Sequence, residues 1–380
     1  MQLVRTGGIY DAEHEQFRHS VRQILSREAA PNLARWEKDG VMDRAFFLRC
    51  GEAGLLGPTV PETYGGSGVD FRYNAVVDEE FGYFGLNAGT ILQSDIIVDY
   101  ILNFGTEEQR RRWLPALVSG ESIAAIAMTE PGTGSDLQAI RTSARREADE
   151  FIITGSKLYI TNGQNCDLVI LVAKTAPERG SKGLSLFLVE ATRQGFQKGR
   201  NLDKIGQWSS DTSELFFDQV RIPAANLLGT ENAGFSMLME QLPQERLTIA
   251  IIAQAGAQRA FDEALHFVRQ RPAFGRQVID FQHTRFALAE CAAKLQVGWA
   301  HLDWAIGRHV AGKLTASEAS ASKYWHSELQ WELADIALQL HGGAGYMNET
   351  PIARLWRDAR AQRIYGGTSE IMLEIIGRGL

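Results

Sequence analysis

The chain has 380 residues, 44% of them hydrophobic and 22% charged, a composition typical of globular proteins. Acidic residues outnumber basic ones by 46 to 39, which gives a net charge of −7 and argues against a general nucleic-acid-binding protein, because such proteins carry a basic excess. Cys50, Cys166 and Cys291 are far apart and form neither a zinc-binding spacing nor a disulfide framework. The first residues lack the apolar core of a signal peptide, so we expect a cytoplasmic or organellar-matrix protein.

The first region, residues 1–121, is predicted to be a helical domain. Phe17, Val21 and Ile24 recur at the spacing of one helix face. Thr106 is a predicted N-cap for a further helix that starts at the next residue.

The middle region, residues 122–232, changes to the pattern of strands. The runs 151–155 and 157–161 are predicted strands joined by a Gly-Ser turn, and 168–173 and 184–189 are short apolar runs bounded by turn residues. No long helical pattern alternates with them, so we expect an antiparallel, barrel-like sheet.

The last region, residues 233–380, is helical again. Segments 247–269, 286–310 and 316–340 have the length and periodicity of long bundle helices. The sequence therefore predicts an α+β multidomain protein with an N-terminal helical domain, a middle β domain and a C-terminal four-helix bundle.

Several common catalytic signatures are absent from the sequence: HExxH, the P-loop, the GxSxG elbow and a GxGxxG after a strand. No metal-ligand spacing is found either. What remains are glycine-rich polar loops, whose backbone N–H groups can approach phosphates or a polar ring closely.

Six such motifs occur in order along the chain. Taken alone, the first of them is more simply interpreted as a structural loop. Together they make the sequence similar to the acyl-CoA dehydrogenase family from about Glu13 to the C-terminus. The motifs are 128–136 (MTEPGTGSD), 159–163 (YITNG), 271–276 (RPAFGR), 339–346 (QLHGGAGY), 357–360 (RDAR) and 364–371 (IYGGTSEI).

This resemblance implies FAD as the cofactor, an acyl-CoA substrate, electron transfer to an electron-transfer flavoprotein, and a homotetramer in which some flavin contacts cross a subunit boundary. It assigns substrate contacts to Ser135, Arg246 and Gly367. The residues at its cofactor-binding positions are Met128, Thr129, Gly134, Ser135, Tyr159, Ile160, Thr161, Arg271, Phe274, Phe281, Gln282, Gln339, Gly343, Thr368 and Glu370.

Simpler interpretations remain open for some of these residues. Phe274 and Phe281 have the character of core aromatics, and Arg271 that of a cation stabilising a helix end. His341 is most simply a hydrogen-bonded loop histidine, and we assign it no role.

The implied reaction removes a proton from the α-carbon and a hydride from the β-carbon of the thioester, which requires a positioned carboxylate. Most family members carry this glutamate in an IYEGT-like motif, where this chain has Gly366. The resemblance gives a second base position, used in the long-chain and isovaleryl branches, and residues 242–247 (LPQERL) place Glu245 there. We therefore predict that Glu245 is the base.

Two other interpretations bear on that prediction. Glu245 also suits an acid stabilised at a helix N-terminus, with Pro243 setting the helix start, and Glu370 is a fallback base. A helix N-terminus would lower the pKa of Glu245 whereas burial would raise it.

Gly366 suggests open space for a longer or branched acyl chain. Rival activities on the same scaffold are an acyl-CoA oxidase, an enoyl-thioester reductase and a carrier-protein thioester dehydrogenase. A non-catalytic flavoprotein is a further alternative.

Overall fold

The N-terminal region is an assembly of helices whose starts are set by capping side chains. A computed structural model describes residues 8–86 and 89–380. Thr106 caps its helix as predicted, and Gln109 completes the capping box. The helices are α1 (Ala12–Ile24), α2 (Leu33–Asp39), α3 (Arg44–Glu52), α4 (Phe71–Phe84), α5 (Gly89–Leu92), α6 (Val98–Phe104) and α7 (Glu107–Val118).

The middle region forms a sheet with the order β6-β7-β3-β2-β4-β5-β8, in which β1 also pairs with β4. Most pairs are antiparallel, as predicted, but β1 and β2 both run parallel to β4, so the sheet is mixed. The strands are β1 (Ala124–Ala127), β2 (Ser143–Glu147), β3 (Glu150–Thr161), β4 (Leu168–Lys174), β5 (Leu184–Glu190), β6 (Phe196–Asn201), β7 (Thr212–Pro223) and β8 (Leu227–Leu228).

The Gly-Ser turn predicted inside β3 is wrong, because the chain continues through it as one strand. Gly155 lies at a register shift between β3 and β7 and has a φ of +156°. A Cβ there would lie 2.4 Å from Thr142 Oγ1. Glycine therefore permits a bulge at a crowded point of the sheet, which a sequence pattern does not distinguish from a turn.

The C-terminal region contains three long helices and two shorter ones. The longest of them begins at Gly234 and not near Pro243, so the predicted helix start is wrong and Glu245 lies about three turns into the helix. Here proline stands inside the helix and not at its first turn. The elements are α8 (Gly234–Gln270), β9 (Pro272–Ala273), β10 (Arg276–Gln277), α9 (Gln282–Val310), α10 (Ala316–His341), α11 (Pro351–Ala359) and α12 (Ser369–Gly377).

Helix α8 is the central element, because it packs along α10 and also contacts α4 and α6. Arg246 near its start contacts Ser320 near the start of α10, and Phe267 near its end stacks on His341 at the end of α10. The two helices therefore run in the same direction. Within the described ranges, no helix is long and apolar enough to cross a membrane.

Candidate active site

Glu245 lies on the buried face of α8, with 7% of its surface exposed. The hydroxyl of Tyr100, from α6, donates a hydrogen bond of 2.9 Å to Glu245 Oε1. Tyr100 itself is completely buried. The site thus holds a carboxylate in an apolar environment with one of its two oxygens bound by a phenol.

Burial raises the pKa of Glu245 to about 7, while the hydrogen bond from Tyr100 and the charge of Arg246 oppose the rise. Since Glu245 is not near a helix N-terminus, the opposing helix-end effect considered from the sequence does not arise. A carboxylate with such a pKa is a stronger base than a solvated one and is still substantially ionised at neutral pH.

The loop that carries Gly366 and Gly367 is held by two cationic side chains. Lys323 Nζ donates to the Gly367 carbonyl at 2.6 Å, and Arg246 Nε contacts the Gly366 carbonyl at 3.5 Å. Arg246 also donates to Ser320 Oγ at 3.3 Å. Because α8 supplies both Glu245 and Arg246, one helix places the carboxylate beside the loop.

Gly366 lies beside the side chain of Ile249. A Cβ at this position would lie 2.4 Å from Ile249 Cδ1, and the glycine has a φ of +65°. Ile249 follows Glu245 by about one helical turn and is itself buried. The end of the Ile249 side chain therefore takes up part of the space beside Gly366, and the expectation that this glycine leaves room for the acyl chain stays a prediction.

The loop containing Met128 and Thr129 is anchored by a buried ion pair that sequence reasoning missed. Lys157 Nζ donates at 2.9 Å both to Glu130 Oε1 and to the Met128 carbonyl. Glu130 also accepts from the backbone N–H groups of residues 141 and 142. Burial lowers the pKa of Lys157 to about 8, and Glu130 opposes this shift.

The neighbouring residues of the same loop and of β3 differ in exposure. Gly134 and Ser135 lie on the exposed part of the loop, and a Cβ at Gly134 would meet no other atom. Tyr159 is 64% exposed in a left-handed conformation, and Thr161 is half-buried. Ile160 is buried in the sheet core, so only its backbone is available to a cofactor.

A second group of predicted cofactor residues lies at the C-terminal end of α8, far from Glu245. Glu245 and Gln270 are about 38 Å apart along the helix axis, and the packing of Phe267 on His341 brings the end of α10 to this same end. The residues at the far end are Arg271, Phe274, Phe281, Gln282, Gln339 and Gly343.

Thr368 and Glu370 lie at the start of α12, next to the Gly366–Gly367 loop. Thr368 is the N-cap of this helix. Glu370 is exposed, and backbone and Thr368 hydrogen bonds lower its pKa. An exposed carboxylate with a lowered pKa is a weaker base than Glu245, so the geometry favours Glu245 over the fallback.

Comparison with known proteins identifies the fold and the family. Sequence models of the acyl-CoA dehydrogenase N-terminal, middle and C-terminal domains match residues 11–121, 125–220 and 232–380. The chain belongs to the acyl-CoA dehydrogenase family. The mitochondrial long-chain specific acyl-CoA dehydrogenase of Sus scrofa is 48% identical over 97% of this chain and 87% of the relative. This family membership establishes the protein as an enzyme of acyl-CoA dehydrogenation.

Solved structures of the family superpose on the whole chain. An acyl-CoA dehydrogenase from Geobacillus kaustophilus has a TM-score of 0.96 at 45% identity and covers 98% of each chain. A glutaryl-CoA dehydrogenase from Mycobacterium smegmatis, solved in complex with FADH2, has a TM-score of 0.90 at 26% identity and covers 97% of this chain and 95% of its own. The three-domain fold predicted from the sequence is confirmed.

The cofactor of the family is FAD, as predicted. The chain's surface fits such a group, because an exposed aromatic side chain stands beside a glycine that has open space around it. Phe274 is 96% exposed and packs edge-on against Phe281 with ring centroids 6.2 Å apart. A Cβ at Gly275, which follows Phe274, would meet nothing within 4 Å. The exposed ring and the glycine beside it leave room for a planar ring system to pack.

Tyr100 was missed because no motif surrounds it. It lies 145 residues before Glu245 in sequence, inside a helix whose apolar pattern explains a tyrosine as a core residue. Sequence offered no signal for this contact.

Proposed function

We propose that this acyl-CoA dehydrogenase oxidises a medium-chain, long-chain or branched acyl-CoA to the trans-2-enoyl-CoA, with Glu245 as the base. The observation that carries the proposal is the buried Glu245 carboxylate beside a Gly366–Gly367 loop that lacks the usual glutamate. The 48% identity to a long-chain enzyme supports the substrate class. The glycine at position 366 adds no support to it, because the end of the Ile249 side chain lies beside it.

In the proposed mechanism, Glu245 Oε2 accepts the α-proton while Oε1 stays bound to Tyr100. Bound FAD supplies the acceptor for the hydride that leaves the β-carbon. The backbone N–H of Gly367 makes no hydrogen bond within the described chain, and we assign it to the thioester oxygen, where it stabilises the negative charge that develops as the proton leaves. Ser135 and Arg246 are assigned to the acyl-CoA.

The test is anaerobic reduction of the bound flavin by a panel of acyl-CoAs of increasing length and branching. We expect Glu245→Gln to reduce its flavin about 10²–10⁴-fold more slowly than the unmodified enzyme, the usual contribution of a positioned base. Glu240→Gln is the matched control, because Glu240 lies exposed on the same helix. Equal rates for Glu245→Gln and the unmodified protein would show that another group is the base, and a clear preference for short straight chains would refute the substrate class.

We further propose that electrons pass to an electron-transfer flavoprotein and that the enzyme is a homotetramer of the cytoplasm or an organellar matrix. The family resemblance supports the electron acceptor and the tetramer, and the three separate cysteines support a reducing compartment. Rapid release of hydrogen peroxide from the reduced enzyme in air would instead indicate an acyl-CoA oxidase.

A further inference from the structure

Tyr100 is directed at Glu245 by the packing of α6 against α8. The tyrosine is fully buried, and its ring packs beside Phe104 with centroids 6.1 Å apart. Its hydroxyl is the polar end of an otherwise apolar side chain, and it donates to Glu245 Oε1 at 2.9 Å. A buried phenol requires a hydrogen-bond partner, so this contact fixes both side chains.

The contact acts on one oxygen of the carboxylate and leaves the other available. Burial and the neighbouring Glu245 raise the pKa of Tyr100 well above its usual value, so the phenol stays protonated and remains a donor. A donor to a carboxylate stabilises its charged form and thereby lowers its pKa. Tyr100 therefore counteracts part of the effect of burial on Glu245.

The other ionisable groups around this pair come from several elements. Asp99, next to Tyr100 on α6, accepts a hydrogen bond from Gln244; burial raises its pKa to about 7, with the charges of Asp95 and Glu245 adding to the rise. Arg246 stands beside Glu245 on α8 and interacts with its charge, and Lys323 from α10 interacts in turn with the charge of Arg246. Tyr100 is thus a neutral donor to a carboxylate whose other neighbours are ionisable.

We propose that Tyr100 is the positioning residue of the base, holding Glu245 Oε1 so that Oε2 takes the α-proton. This inference rests on the proposed role of Glu245. Tyr100 does not touch the reacting atoms in this assignment, and its effect is exerted through Glu245.

The test measures proton transfer apart from hydride transfer. A 3-thia-acyl-CoA has an ionisable α-proton, but it cannot give up a hydride because sulfur replaces its β-carbon. The enolate that forms is detected by the absorbance of its complex with the oxidised flavin. In Tyr100→Phe, we expect the pH midpoint of enolate formation to move upward by about one pH unit, a tenfold change, because a donor to the charged carboxylate is lost. With a true substrate, kcat should fall and KM should change little.

Tyr64→Phe is the matched control, because Tyr64 also donates to a glutamate, Glu107, at 2.6 Å but on the surface. It should leave the midpoint unchanged. If Tyr100→Phe fails to fold, 3-fluorotyrosine at position 100 keeps the ring and its burial. Its more acidic phenol is a stronger donor and should move the midpoint downward.

The outcomes separate the two proposals. If Glu245→Gln still forms the enolate, the assignment of the base is wrong and that of Tyr100 is overturned with it. If Glu245→Gln forms none while Tyr100→Phe and the fluorotyrosine protein keep the unmodified midpoint and kcat, only the role of Tyr100 is overturned.

Discussion

The buried carboxylate of Glu245 makes the stability of this protein depend on pH. The folded pKa of Glu245 is about 7, above its ordinary value of 4.5. A raised carboxyl pKa means that the folded state holds the proton more tightly. Proton binding by Glu245 therefore stabilises the folded state fully below about pH 4.5, and this stabilisation is lost as the pH rises through 7. The loss in free energy of unfolding is about 3 kcal/mol at most.

Glu245→Gln removes this titration while keeping an oxygen for Tyr100 to bind. We expect the variant to gain about 1–3 kcal/mol in free energy of unfolding, relative to the unmodified protein, between pH 5 and pH 8. Denaturant unfolding at both pH values, at equal protein and FAD concentration, measures this difference. A difference that does not change with pH would show that Glu245 does not titrate in this range.

The buried pair of Lys157 and Glu130 gives a second expectation for single residues. Lys157→Met leaves Glu130 buried without its cation, and we expect a loss of about 3–5 kcal/mol in the free energy of unfolding together with weaker FAD retention. Lys313→Met at an exposed position is the control and should change stability by less than about 0.5 kcal/mol. Equal effects of the two substitutions would contradict a structural role for the pair.

At the level of elements, the contact between α8 and the Gly366 loop restricts which residue the loop can carry. Gly366 has a left-handed φ of +65°, and a Cβ added there would lie 2.4 Å from Ile249 Cδ1. Gly312 has the same φ, but a Cβ added there would meet nothing within 4 Å. We expect Gly312→Ala to cost about 1 kcal/mol and Gly366→Ala about 0.5–1.5 kcal/mol more, because the end of Ile249 must change its rotamer.

A double mutant separates the two causes for Gly366. With Ile249→Ala in the background, the additional cost of Gly366→Ala should fall to that of Gly312→Ala, as measured by thermal or denaturant unfolding. If this additional loss of stability is unchanged, the backbone conformation at Gly366 alone causes it. For the same reason, moving the base to position 366 requires a smaller side chain at 249.

How far the sequence predicts these elements depends on whether the signal is local. The cap at Thr106, the strands 168–173 and 184–189 and the helix 316–340 are confirmed because capping and periodicity are properties of neighbouring residues. Pro243 and Gly155 misled because proline and glycine are tolerated inside an element where tertiary packing compensates. The pairing of Tyr100 with Glu245 and the approach of Ile249 to Gly366 depend on how helices meet. The catalytic and cofactor roles remain predictions.

For the whole molecule, the predicted base and one group of predicted cofactor residues lie far apart along α8. Because about 38 Å of this helix separates Glu245 from the end that leads to Arg271, we expect each complete site to combine residues from two chains. Mixing Glu245→Gln with Arg271→Ala at equal amounts and reassembling them should restore about a quarter of the unmodified activity, since half of randomly formed pairs are mixed and each has one intact site.

The control for this mixing experiment places both substitutions in one chain. The double variant Glu245→Gln/Arg271→Ala is mixed with the single variant Glu245→Gln. Because neither chain carries the base, this mixture should recover no activity. Failure of the first mixture to recover, with exchange of subunits confirmed by mass spectrometry, would show that each chain builds its own site.

The two cations that hold the Gly366–Gly367 loop also determine where its amide hydrogens point. In a trans peptide, the carbonyl and the N–H of the same plane face opposite ways. Because the Gly366 carbonyl faces Arg246, the N–H of Gly367 points away from that cation. In the same way, the Gly367 carbonyl faces Lys323, so the N–H of Thr368 points away from Lys323. By holding the loop carbonyls, these two side chains can in this way aim a backbone donor.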